Sequence, residues 1–281
     1  MKRFSLFAMG LAFLLCARAA LGQIQPPVTE TGFGTVGQGA AGINNPGVAC
    51  GPTSVYNSFV YLTNLDPALG TKLTGSSAAN TINTLATDMN LVAGSGIGAD
   101  DLVNGKKQYI SDVGLSNSIT VESQVGSGNI TAQFIYNQLA MGQDVELGFT
   151  WNGATGGHVV TLTGMSNFNP MANTATLSFL DPWGNGTAAE DTNPDPTSGD
   201  LEGGGPATPG TTAAPETGSL TFGSGVWTLS YVGSGAGPNG GSGTLVVVAA
   251  ESVPEPSVIF LLSVVGSLVL LGSRRHRARV I

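Results

Sequence analysis

Cysteine and histidine are nearly missing from this sequence of 281 residues, which has two of each. Charged residues are scarce at 10% and aromatic residues at 7%. Cys16 and His276 lie in the two terminal segments, so the body holds one thiol, Cys50, and one imidazole, His158. A single thiol excludes an intramolecular disulfide framework. One Cys and one His without clustered acids also make a poor zinc site, so neither a metal nor a cofactor is expected. Basic residues are the other shortage. Between Gln23 and Ser257 only Lys72, Lys106 and Lys107 stand against all 18 acidic residues, a net charge of −15. A body charged in that way lacks the basic footprint that nucleic acid or an anionic lipid surface requires. Glycine, by contrast, is abundant at 42 residues, about twice the usual ~7% share. Such a chain is rich in loops and takes its polar surface from Ser, Thr and Asn.

The two ends carry targeting features. Lys2 and Arg3, the apolar run from Phe4 to Cys16 and the small residues after it form a secretory signal over residues 1–22, with cleavage expected before Gln23. At the other end Pro254-Glu255-Pro256 precedes an apolar run from Val258 to Gly272, and Arg274, Arg275, Arg277 and Arg279 close the chain. The basic cluster is expected to stay cytoplasmic and everything upstream to lie outside. The run is shorter than the ~20 residues of an ordinary spanning helix, but snorkelling arginines let a short transmembrane helix cross. Over residues 253–281 this arrangement resembles the PEP-CTERM sorting signal of Gram-negative bacteria. The resemblance implies export, transient anchoring in the inner membrane through 258–272, and processing by an exosortase near Pro254-Glu255-Pro256. The destination it implies is the cell surface or the extracellular matrix.

Between the tails, residues 23–47 form a Gly/Pro/Gln-rich, extended lead-in and residues 48–250 a single domain. A helix is expected from Cys50-Gly51-Pro52, because Pro suits a first turn and Val55, Phe59 and Leu62 follow at helical spacing. Further helices are expected near 79–92, 99–110 and 130–141, the last stopped by Gly142. Strand-like runs follow at Val145–Thr150, His158–Thr163, Thr174–Leu180, Gly225–Val232 and Thr244–Ala249. Helices first and strands second indicate an α+β fold. Residues 184–218 form a polar insertion; Glu190, Asp191, Asp195, Asp200 and Glu202 match no calcium-loop spacing and are read as a solvated acidic loop.

Cys50 at a helix start faces the positive end of the helix dipole, which favours the thiolate, and the free N–H groups there suit an oxyanion. His158 follows two glycines at a strand start and can serve as general base and acid. Asp181 ends the next strand, where it can hold the imidazole in the useful tautomer. A thiol, an imidazole and a carboxylate in that order are the parts of a nucleophile triad. Cys50-Gly51-Pro52-Thr53-Ser54, Gly157-His158-Val159-Val160 and Asp181-Pro182-Trp183-Gly184 resemble the three motif blocks of papain-like cysteine peptidases. The nearest likeness is to the bacterial group that includes the bacteriocin leader-processing peptidases. This resemblance spans about residues 45 to 185. It implies a papain-like fold with N-terminal helices packed on a C-terminal antiparallel β-sheet, Cys50 as nucleophile, His158 as general base and acid, and Asp181 as orienting group. It also implies a peptide or protein substrate. The family places a Gln six residues before the Cys; here Asn44 stands there and Gln38 is the nearest upstream Gln. Either amide is a candidate oxyanion donor. A transglutaminase-like transfer would use the same triad. The rival expectation is a noncatalytic surface or matrix protein that keeps the fold as a binding module.

Overall fold

A computed structural model describes residues 23–153, 156–184, 209–233 and 236–253. After the short strand β1 (Val28–Thr29) come five helices and one strand: α1 (Cys50–Leu65), α2 (Gly70–Thr74), α3 (Ala78–Asp88), α4 (Ala99–Asp112), β2 (Thr120–Val125) and α5 (Ala132–Ala140). Six longer strands follow: β3 (Asp144–Trp151), β4 (Gly157–Asn169), β5 (Thr174–Asp181), β6 (Ala214–Gly223), β7 (Val226–Gly233) and β8 (Gly237–Ser252).

Local chemistry accounts for most boundaries. Pro52 falls in the first turn of α1, where no intrahelical acceptor waits for its missing N–H. Ser77 and Thr131 cap α3 and α5 by accepting from the N–H groups of Asn80 and Phe134. Gly142 ends α5 with φ +73°. Ser224 and Gly225, with φ of +53° and +84°, make the two-residue turn between β6 and β7, whose positive φ values match the strand twist.

The strand order β4-β3-β8-β7-β6-β5 closes on itself, because β5 also pairs with β4; every pairing is antiparallel. The expected papain-like α+β fold, helices packed on an antiparallel sheet, is therefore corrected. The structure is a closed six-stranded antiparallel barrel with β1 and β2 added at its sides, and helix makes up about 29% of the described residues. Period-two alternation fills the barrel. Ala175, Leu177 and Phe179 of β5 point inward with Leu229 and Tyr231 of β7, and Ile135 and Leu139 of α5 join that core. β3 is buried on both faces. Its Val145, Leu147, Phe149 and Trp151 enter the barrel. The outer wall, through Val159, Val247 and Ala249, packs against Val55, Phe59 and Leu62 of α1 and Leu102 and Val103 of α4.

Three strands were not anticipated: β1, β2 and β6. The lead-in is part of the body, since Val28 pairs with Met165 of β4 and Val36 bridges Thr212. The last residues of the expected 184–218 insertion belong to β6, and residues 185–208 lie outside the described residues. Among the described residues no helix is long and apolar enough to cross a membrane, and the expected transmembrane helix falls outside them. Residues 1–22 and 254–281, including the run at 258–272, lie outside the described residues.

Candidate active site

β4 and β5 carry two of the three sequence-identified groups to one rim of the barrel. Thr161 pairs with Leu180 across these strands, so His158 and Asp181 sit beyond the same end of the ladder. Both continue the inward register, His158 with Val160 and Leu162, Asp181 with Leu177 and Phe179. His158 Nε2 and Asp181 Oδ1 are 2.8 Å apart, and both side chains are buried. Asp181 also accepts from the Trp183 N–H at 2.8 Å and, through Oδ2, from the Tyr231 hydroxyl at 3.1 Å.

α1 brings Cys50 to the same rim from outside the barrel. Ser54 Oγ donates to the Val159 carbonyl at 2.9 Å, and Thr161 Oγ1 donates to the Ser54 carbonyl at 2.9 Å, so helix and strand are locked in register. Cys50 is the first residue of α1. The helix has no side-chain cap and no acidic residue in its first turn, so nothing there offsets its positive end. Cys50 adds a hydrogen bond and a favourable charge interaction to His158. Asp181 occupies Nε2, which leaves Nδ1 as the ring nitrogen for the thiol.

The electrostatics favour a charged imidazole. Burial alone would lower the His158 pKa, but the Asp181 carboxylate, its hydrogen bond and the Cys50 contact outweigh burial and push it up to about 10. Burial would raise the Asp181 pKa, yet the His158 charge and the hydrogen bonds from His158, Trp183 and Tyr231 hold it below the usual carboxylate value. Trp151 stacks on the imidazole at 6.3 Å with 15° between planes, and Phe149 meets it edge-on at 5.9 Å. These two rings hem in the imidazole, and the Trp face suits a cation.

A cleft of about 750 Å³ opens over Cys50 and His158. Gln38, Ile97, Trp151 and Trp183 are among its walls, and among the described residues no Lys, Arg, Asp or Glu lines it. Of the two candidate amides, Gln38 is at the site. It is buried, its backbone N–H donates to the Pro182 carbonyl at 2.7 Å, and its Nε2 donates to the Pro46 carbonyl at 2.7 Å. One amide hydrogen of Nε2 remains for a ligand. Asn44 does not line the cleft; it is exposed, and its backbone N–H donates to Asn83 of α3.

Sequence reasoning missed a second polar cluster. Lys106 of α4 is fully buried and forms ion pairs with Glu146 Oε2 of β3 and Glu251 Oε1 of β8, both also fully buried. Asp144 lies directly across the β3–β8 ladder from Glu251. Burial raises the Asp144 carboxyl to about 7 and Glu251 well above its ordinary value, because one ammonium faces three carboxyls. Burial would lower Lys106, but Glu146, Glu251 and Asp144 together hold it above its ordinary value. Acids separated by as many as a hundred residues carry no spacing signal; only the β3–β8 pairing brings them together. No family model matches the chain and no curated protein matches it.

Proposed function

We propose that this chain is a cysteine hydrolase that cleaves peptide bonds through Cys50, His158 and Asp181. The observation that carries the reading is the buried 2.8 Å contact between His158 and Asp181 beside a thiol at an uncapped helix N-terminus. In this reading the resting site is a thiolate–imidazolium pair. The Cys50 sulfur attacks the carbonyl carbon. The backbone N–H of Cys50 and Gln38 Nε2 receive the developing oxyanion. His158, charged by Asp181, gives a proton to the leaving amine, which departs and leaves an acyl-enzyme. The neutral imidazole then takes a proton from a water whose oxygen bonds to the acyl carbon, the C–S bond breaks, and the acid product leaves the thiolate behind. The described walls of the cleft are uncharged, which favours substrates without charged side chains near the scissile bond. We further read the Pro254-Glu255-Pro256 terminus as the substrate of an exosortase, which makes the protein an exported one. Mass spectrometry of the exported form then finds no residue of the 274–281 tail.

The test is labelling of the purified chain with a thiol-reactive peptide probe near neutral pH. Cys50 is expected to label, and His158→Ala to abolish the labelling. Reaction of Cys50 no faster than that of free cysteine refutes the enzyme reading and leaves a noncatalytic binding module.

A further inference from the structure

Apart from the cleft residues, the Lys106 cluster places an amine against carboxyl groups with water shut out. Lys106, Asp144, Glu146 and Glu251 are all fully buried. Lys106 Nζ is in contact with Glu146 Oε2 and Glu251 Oε1. The backbone N–H of Glu251 donates to Asp144 Oδ1 at 3.2 Å, which fixes these two acids side by side. Glu146 Oε1 is buried without a hydrogen-bond partner, and the Asp144 and Glu251 carboxyls are hydrogen-bonded to each other. Three carboxyls and one ammonium do not balance, so the cluster must hold at least one carboxyl proton. We propose that Lys106 and Glu146 condense to an intramolecular amide that joins α4 covalently to β3.

The step balances within the cluster. The ammonium passes one proton to Glu146, which turns the charged pair into an amine and a carboxylic acid without changing the net charge. Lys106 Nζ attacks Glu146 Cδ, and the carboxyl of Glu251 donates a hydrogen bond to Oε1 as charge develops there. A second nitrogen proton reaches Oε2 through the carboxyls of Glu251 and Asp144. The Cδ–Oε2 bond breaks, the Nζ–Cδ bond stays, and one water leaves. Two buried charges disappear, each of which is costly to hold away from water, and a dry site keeps hydrolysis from reversing the bond. The remaining Asp144 and Glu251 then share one negative charge and one proton. Among the described residues Cys50 is the only cysteine, so this amide would supply the covalent tie that a disulfide cannot. The inference does not depend on the chemistry at Cys50.

Intact mass spectrometry of the purified full chain decides it. The expected mass is one water below that calculated for the observed termini, and trypsin fails to cut after Lys106. Digestion then yields a branched peptide joining Lys106 to Glu146. Glu146→Leu restores the full mass and cleavage at Lys106; should that variant fail to fold, the unfolded wild-type chain is the control, with full mass before folding and one water less after it. A folded wild-type protein of full mass that trypsin cuts after Lys106 overturns the proposal, and a branch mapped to another carboxyl overturns the assignment to Glu146.

Discussion

Asp181→Asn separates charge from shape at the barrel rim. Asn is nearly isosteric and keeps an oxygen for the Trp183 N–H, but it removes the carboxylate that outweighs burial at His158. The rise of His158 from 6.5 to about 10 corresponds to a preference for the imidazolium of roughly 5 kcal/mol, at ~1.4 kcal/mol per unit. Without Asp181, only the Cys50 contact still opposes burial, and the His158 pKa falls. The imidazolium beside the thiol is then disfavoured. The expected loss in peptide hydrolysis is about 10⁴-fold, the size seen when the equivalent Asp of a serine triad becomes Asn. The stability difference between wild type and variant has its own pH signature. His158 is raised in the folded state, so its contribution is full below 6.5 and is lost as pH rises to about 10. Asp181 is lowered, so its contribution is present above 3.8 and is lost as pH falls through its depressed value. The difference is therefore largest between those limits. Proton NMR of His158, identified by its loss in His158→Ala, reads the titration directly; urea unfolding across the same pH range reads the linkage. A wild-type His158 that titrates near 6.5, or an Asp181→Asn protein whose His158 titrates as in wild type, refutes the reasoning.

Two further variants probe the neighbours of the triad. Gln38→Ala is expected to lower kcat by roughly 10²–10³-fold with little change in KM, as for other oxyanion donors, while steady-state kinetics of Asn44→Ala stay at the wild-type level; the reverse ranking would show that the wrong amide is assigned. Ser54→Ala removes one of the two bonds that lock α1 to β4 and is expected to cost about 1–2 kcal/mol in urea unfolding, with slower labelling of Cys50; unchanged stability would mean that packing alone sets the helix register.

The grouping of Cys50, His158 and Asp181 was legible because the body holds one Cys and one His and all three lie in informative contexts. Cys50 before Gly-Pro marks a helix start, and the strand patterns around His158 and Asp181 place both near one end of adjacent strands. The barrel was not legible. β6 begins Ala-Pro-Glu-Thr-Gly and shows a burial pattern with exposed positions along most of its length, so it reads as polar loop. β2 carries Glu122, Ser123 and Gln124 at its centre. Period two identifies a strand but says nothing of which strands close a sheet. Closure here depends on β5 pairing with both β4 and β6, and on register shifts in β4 at Leu162/Gly164 and Ser166/Asn169 that bend a strand of 13 residues. The choice between Gln38 and Asn44 stayed open for another reason: the place of Gln38 is set by a long-range bond to Pro182, which no local spacing encodes.

The loop before α1 therefore belongs to the site's frame. Asn57, fully buried on α1, receives the Val36 N–H on Oδ1 and donates from Nδ2 to the Val36 carbonyl, each at 3.0 Å. Two residues on, Gln38 is tied to Pro182, next to Asp181. One short segment thus connects the helix that carries Cys50 with the turn that follows Asp181, and it places Gln38 between them. Ser54 and Thr161 fix the same helix to the strand of His158. The elements that carry Cys50, His158 and Asp181 are thus tied together by hydrogen bonds, and a helix shift large enough to move Cys50 must break several of them together. Buried polar bonds of this kind are costly to leave unmade, which is why residues as unremarkable in sequence as Asn57, Ser54 and Thr161 control whether the thiol and imidazole meet.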